Sequence, residues 1–343
     1  MSSEQAERET VARQLELGAR GYGAGAASRL ITTERSSSFG AWHQYYAERM
    51  QELSVAVSLG EPALAGVGVV WAGEAMRVRG IEMPEAELVI GCMRESLRED
   101  LHERAWKLVA PALEAAEAVA LGSPPTFDRL APGEGMATES LRFIERVLGG
   151  RWRGAIDALT GLQDDGGSTR ALYEGVLLPA VREVGTMWHL GEIGVGEEHA
   201  VTEAARSAMN VLWHRASPGA DRGVGAVVGG VTEDRHDIGV QATARLMELA
   251  GVRSVCLGAD LPAGEFVQGA RDYEAQVAVI GATLAPHLPR VRETVEALRE
   301  ACPDVRVIVG GPAFAGIPGL AQKVGADAYS PSPGATADLV IDA

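Results

Sequence analysis

Asp234 and His236 stand two residues apart in VGAVVGGVTEDRHDIG, between an apolar run and the start of a helix. A carboxylate at that spacing can hold one ring nitrogen of the histidine and leave the other for a metal. A loop leaving a parallel strand is also where α/β sheets present ligand-reading side chains. With Gly239 the pattern is DxHxxG, and by itself it reads equally as an exposed loop histidine beside a helix-capping aspartate. A second group lies upstream in VGTMWHLGEIGVGEEHAVTEAARSAM, where Trp188 and His189 end one helical stretch and Glu198 and His199 open the next. That Trp-x9-Glu-His spacing lets an aromatic face and two polar groups converge on one ligand. Taken alone, it also describes a core tryptophan beside a charged first turn. A third group, in WHQYY and VVWAGEAMRVRG, comprises Trp42, His43, Tyr45, Tyr46, Trp71, Arg77 and Arg79. Aromatic faces with guanidinium groups suit a flat conjugated ligand bearing carboxylates, and they equally make an ordinary bundle core with a solvated rim.

The elements that must position the first group alternate. After VGAVVGG come a helix over about 240–250, the strand VRSVCLGA, a helix opened by LPAGEFV, the strand QVAVIGA with a small-residue loop at 281–285, and the strand VRVIVGG ending in Gly310 and Gly311. Strand and helix repeated with short loops predict a parallel Rossmann-like or flavodoxin-like sheet. The second group sits in four amphipathic segments over 137–215, broken near Gly149, Gly166 and Gly194, which predict a small four-helix bundle.

DxHxxG, a loop in the place of Ser-x-Leu after the third strand and the glycine pair after the fourth fall in order. From Val224 onward the chain therefore resembles the cobalamin-binding domain of methionine synthase, corrinoid methyltransferase proteins and cobalamin photoreceptors. The resemblance implies that His236 replaces dimethylbenzimidazole as the lower cobalt ligand and that Asp234 orients it. It implies too that Gly239, Gly310 and Gly311 leave room for the nucleotide tail. The chain departs from the family at Ser-x-Leu, where Gly281 stands for the serine and Thr283, with a hydroxyl, for the leucine. The bundle resembles the cap of adenosylcobalamin-dependent photoreceptors, in which the tryptophan covers the upper axial group and the Glu and His contact the adenosyl moiety. It implies these roles for Trp188, Glu198 and His199, and for His189 the upper cobalt site after illumination. Overall the chain resembles photocobilins, which pair cobalamin with a bilin such as biliverdin. This implies a light sensor that changes cap position and homo-oligomeric state, acts through a separate output protein and is not an enzyme. Trp42, His43, Tyr45, Trp71, Arg77 and Arg79 are the candidate bilin residues. The alternatives are a corrinoid protein shuttling methyl groups for a methyltransferase system and a passive cobalamin store.

The whole chain sets bounds on these readings. Its 343 residues leave room for two or three domains. They are expected as a flexible segment over 1–38, an all-helical globin-like or bundle domain over 39–122, a linker over 123–136, the cap bundle over 137–217 and the sheet domain over 221–343. Pro111 inside the long helical run 85–121 predicts a break or kink. A net charge of −16 opposes general nucleic-acid binding, and the acidic N-terminal third disfavours a DNA-reading domain. No apolar run suits a membrane span, and the charged N-terminus lacks a signal-peptide core. Cys92, Cys256 and Cys302, odd in number and far apart, read as reduced thiols of a cytoplasmic protein.

Overall fold

A computed structural model describes residues 3–34, 38–81, 83–122 and 129–342, the side chain of residue 70 apart. Residues 123–128 of the expected linker lie outside the described residues. The chain divides into two compact units, Met1–Thr126 and Phe127–Ala343.

The first unit is all helical: α1 Ser3–Glu34, α2 Phe39–Leu59, α3 Leu64–Val78, α4 Ala86–Asp100 and α5 Glu103–Ala120. It corrects two expectations. The stretch expected to be flexible over 1–38 is mostly one long helix, α1, with Val11, Leu15, Ala19, Tyr22, Ala26 and Leu30 on a buried face. Glycine and alanine lower its side-chain bulk rather than break it. A Cβ at Gly23 would stand 2.9 Å from the backbone nitrogen of Ala47, so the missing side chain lets α1 and α2 approach closely. The Ser54 hydroxyl donates to the Ala12 carbonyl at 2.7 Å, and that of Ser96 to the Tyr22 carbonyl at 2.9 Å, tying α2 and α4 to α1. The run 85–121 does break, but at Leu101 and His102, both extended, while α5 passes through Pro111. Pro111 lies on an exposed face, where water can serve the carbonyl that loses its amide partner.

The second unit joins a bundle to a sheet. The bundle comprises α6 Ala137–Leu148, α7 Trp152–Asp164, a third helix and α10 Val195–Arg215. The third helix runs as α8 Thr169–Leu172, one π turn over Tyr173–Leu177 and α9 Leu178–His189. Gly149 follows α6 and Gly194 precedes α10, as the spacing of breaks predicts. Five strands follow: β1 Gly225–Val231, β2 Arg253–Leu261, β3 Val277–Gly281, β4 Arg306–Gly310 and β5 Ala328–Ser330. They pair in parallel in the order β2-β1-β3-β4-β5. Between them run α11 Ile238–Leu249, α12 Ala263–Asp272, α13 Leu288–Ala301 and α14 Leu320–Lys323, and α15 Pro333–Ile341 follows β5. Ile238, Ala242 and Leu246 of α11 are buried in the bundle's own core with Tyr173, Ala204, Ala208 and Leu212. Bundle and sheet are therefore held in register by one apolar cluster. At β1 the chain order reverses, toward β2 on one side and β3 on the other, and a crevice opens beyond the strand ends at such a switch point. Gly230 pairs with Gly281 across it, which brings the loops after β1 and β3 side by side.

Candidate functional site

The loop leaving β1 turns at Glu233, whose φ is 72°. The turn carries Asp234 inward, where its side chain is 2% exposed. One carboxylate oxygen, Oδ1, accepts from His236 Nδ1 at 2.7 Å and from the His236 amide at 3.1 Å. The other, Oδ2, accepts from the Thr283 amide at 2.6 Å and lies 3.2 Å from His287 Nδ1. His236 itself is 60% exposed, and with Nδ1 given to Asp234 its Nε2 is the ring nitrogen left for another group. Burial works to raise the Asp234 carboxyl, but the hydrogen bonds from His236 and the Thr283 amide, with the His287 ring close by, outweigh it and hold the group well below the usual carboxylate range. The Asp234 hydrogen bond pushes His236 up, against its partial burial. The Asp260 side chain accepts from the Glu233 amide at 2.7 Å, and its own amide donates to the Asp234 carbonyl at 2.9 Å, so the end of β2 braces the turn.

From the bundle side, α10 presents Glu198, Thr202 and Arg206, spaced four residues apart on one face. Glu198 accepts from the Thr202 hydroxyl at 2.8 Å and meets His199 Nδ1 at 2.5 Å. Its charge also contributes to raising His236. Arg206 grips Asp237 with both terminal nitrogens, one at 2.9 Å, and Gln241 donates to the same carboxylate at 2.7 Å. Trp188 and His189 close α9, and Trp188 keeps 43% of its surface exposed. His199 is exposed as well. Sequence reasoning reached Glu198 but missed Arg206, whose partner lies on another element.

The candidate tail residues divide. Beside Gly239 there is open space within 4 Å of where a Cβ would stand. Gly281, Gly310 and Gly311 are close-packed instead: a Cβ would meet Val240 at 3.1 Å, the Ser330 carbonyl at 3.1 Å and the Ala282 carbonyl at 2.3 Å respectively. Gly311 also has φ of 100°, so its requirement is one of backbone conformation. Thr283 contributes its amide to Asp234, where the sequence suggested its hydroxyl.

The candidate bilin residues do not form the expected common groove, because their aromatic faces are taken up by one another. Trp42, Tyr45 and Tyr46 are buried, with ring centroids 5.3 to 6.0 Å apart. Trp71 is largely exposed, Arg77 pairs with Glu74 on the surface of α3, and Arg79 donates to the Ala75 carbonyl at 2.6 Å. His43 stacks on Phe39 and meets the Arg20 carbonyl at 3.0 Å.

Among the described residues no three His, Cys, Asp or Glu side chains cluster to hold a metal ion. A single outward histidine fits a metal that arrives already held by a macrocycle. The match to known families agrees with that chemistry. Residues 224–340 and 141–212 match two family models, each described as a B12 binding domain. The chain is 30% identical over 164 residues to dimethylamine corrinoid protein 2 of Methanosarcina mazei, covering 46% of this chain and 75% of that protein. It is 28% identical over 163 residues to dimethylamine corrinoid protein 3 of Methanosarcina acetivorans, covering 46% of this chain and 75% of the other. The solved monomethylamine corrinoid protein of Methanosarcina barkeri overlays with a TM-score of 0.49 and 17% identity, over 59% of this chain and 96% of that one.

Proposed function

We infer that this chain, which belongs to the B12-binding family of corrinoid proteins, holds cobalamin between α10 and the ends of β1 and β3, with His236 as the lower cobalt ligand. The observation that carries the reading is the Asp234–His236 pair, a buried ionised carboxylate on Nδ1 of a histidine whose ring is exposed. Bound cobalamin supplies a cobalt–carbon bond that can be made and broken at its upper face. Asp234 fixes the histidine tautomer, Gly239 gives free space beside the loop for the displaced tail, and Trp188, Glu198 and His199 border the upper face from the bundle.

The relatives named for dimethylamine favour a protein that carries a methyl group for a partner methyltransferase. A second use, light sensing with adenosylcobalamin, is favoured by Trp188, His189, Glu198 and His199, since a methyl group needs no shield of that size. In that use His189 would be the bundle residue that holds the cobalt after illumination, and a movement of the bundle would alter a homo-oligomeric interface read by a separate output protein. The first unit would then hold biliverdin without a covalent bond, because burial pushes up the Cys92 thiol and leaves no ready thiolate.

Incubating the protein with methylcobalamin and with adenosylcobalamin in darkness, then scanning before and after green light, separates the uses. A carrier takes methylcobalamin and yields the methyl group to an acceptor methyltransferase. A sensor prefers adenosylcobalamin and gives a stable lit spectrum that His189→Ala alters, with a red-shifted band on adding biliverdin. Failure to retain either cobalamin overturns both.

A further inference from the structure

Only one oxygen of Asp234 serves His236, and what holds the other decides how that carboxylate is aimed. Oδ2 faces the Thr283 amide at 2.6 Å and His287 Nδ1 at 3.2 Å. His287 is 12% exposed. It closes the single 3-10 turn Ala285–His287, fixed by its amide donating to the Leu284 carbonyl at 3.0 Å and by the fully buried Leu288 next in the chain. Its Nδ1 is enclosed and, at 3.2 Å from the carboxylate, is too poorly aligned to complete a hydrogen bond. Among the described residues no other polar atom partners it there, and a buried ring nitrogen without a bond is costly unless it has a task. Thr283 and His287 both follow Gly281, which stands where the resemblance puts the family's serine and has no side chain to offer. The carboxylate therefore stands between two histidines from different loops, one exposed toward the ligand side and one enclosed behind.

We propose that His287 is a positioning residue for the lower ligand, holding Asp234 from behind so that Oδ1 stays on Nδ1 of His236. This rests on His236 being that ligand. An N–H at His287 Nδ1, enclosed 3.2 Å from Oδ2, attracts that oxygen and limits how far the Asp234 carboxylate turns. Without it the Thr283 amide alone restrains Oδ2, and the carboxylate is free to turn from His236. Groups that orient a metal-bound histidine typically change affinity about 10- to 100-fold when removed.

The test uses full-length protein loaded with aquacobinamide, which carries no benzimidazole, so that affinity and the visible spectrum report on protein ligation alone. His287→Asn places an N–H near the same point, and His287→Phe fills the space without one, with circular dichroism confirming that each folds. The expected result is parent-like ligation and affinity for His287→Asn and a loss of roughly tenfold or more for His287→Phe. If both variants match the parent, or both lose binding equally, His287 does not position Asp234. His236→Ala is measured alongside: if it binds and absorbs like the parent, the lower-ligand reading fails. If only His236→Ala differs from the parent, that reading stands and the role of His287 falls.

Discussion

At the scale of single residues, the Asp234 carboxylate takes three hydrogen bonds, from His236 Nδ1 and the amides of His236 and Thr283, with the His287 ring 3.2 Å from its other oxygen. Asp234→Ala removes the partner of His236 Nδ1, leaves the Thr283 amide unpaired and frees the ring to tilt. Cobalamin affinity is expected to fall about 10- to 100-fold by spectroscopic titration; an unchanged affinity would show that Asp234 does not orient the ligand. This pair was legible in the sequence because its geometry is local: a two-residue separation lets a loop carboxylate reach a neighbouring imidazole without any long-range contact. His287 was legible only as a residue near the end of β3, since its approach to Asp234 depends on β1 and β3 pairing side by side. Thr283 was found for its hydroxyl, yet the loop presents its amide. Arg206 gave no local signal, because its partner Asp237 lies across the junction of bundle and sheet.

At the scale of elements, two joints hold the site in place. The loop after β4 passes so close to the Ala282 carbonyl that Gly311→Ala must shift it, with a positive φ as a second penalty. The expected cost is about 1–3 kcal/mol from the backbone conformation, read as a lower urea midpoint, and more where the clash cannot relax. A parent-like midpoint would contradict the close packing. Between bundle and sheet domain, Glu174 in the π turn accepts from the Gly334 amide at 2.9 Å in the first turn of α15. Arg170 nearby makes a bidentate pair with Asp338 at 2.8 and 2.7 Å. Burial acts to raise the Glu174 carboxyl, while bonds from Ser332, the Gly334 amide and Arg170 lower it further, so its folded value lies below the ordinary one. Its contribution is therefore fully present above the ordinary glutamate value, roughly pH 4.3, and is lost as pH falls through the depressed folded value. Glu174→Gln should lower stability by about 1 kcal/mol at neutral pH. The gap from the parent should close on acidification, and a gap that widens toward acid would reverse the sign. Helix identity was less legible than strand identity. The apolar strands announce themselves, whereas α1 hides its packed face behind glycine and alanine, and Pro111 stays in a helix because its lost bond faces water.

At the scale of the molecule, both regions that match B12-binding models fall within the unit Phe127–Ala343. Its two halves share a core through α11, so the bundle and the sheet that carries the His236 loop are packed together. Residues 127–343 alone are expected to retain cobalamin with the affinity of the full chain by equilibrium dialysis; loss of binding would give the first unit a part in the site. The parallel sheet and the four helices of the bundle were readable from alternation and periodicity; the strand order that puts β1 at the switch point was not. What the first unit holds was not, because aromatic and arginine residues at helical spacing serve a core and a ligand equally well. The central claim, that His236 is the lower cobalt ligand, is tested most directly by electron paramagnetic resonance of the protein bound to cob(II)alamin, with 15N only in its histidines. Cobalt bound by a protein histidine gives superhyperfine doublets from 15N, which is the predicted result. Triplets unchanged from the unlabelled protein would show the benzimidazole still in place and would contradict the account.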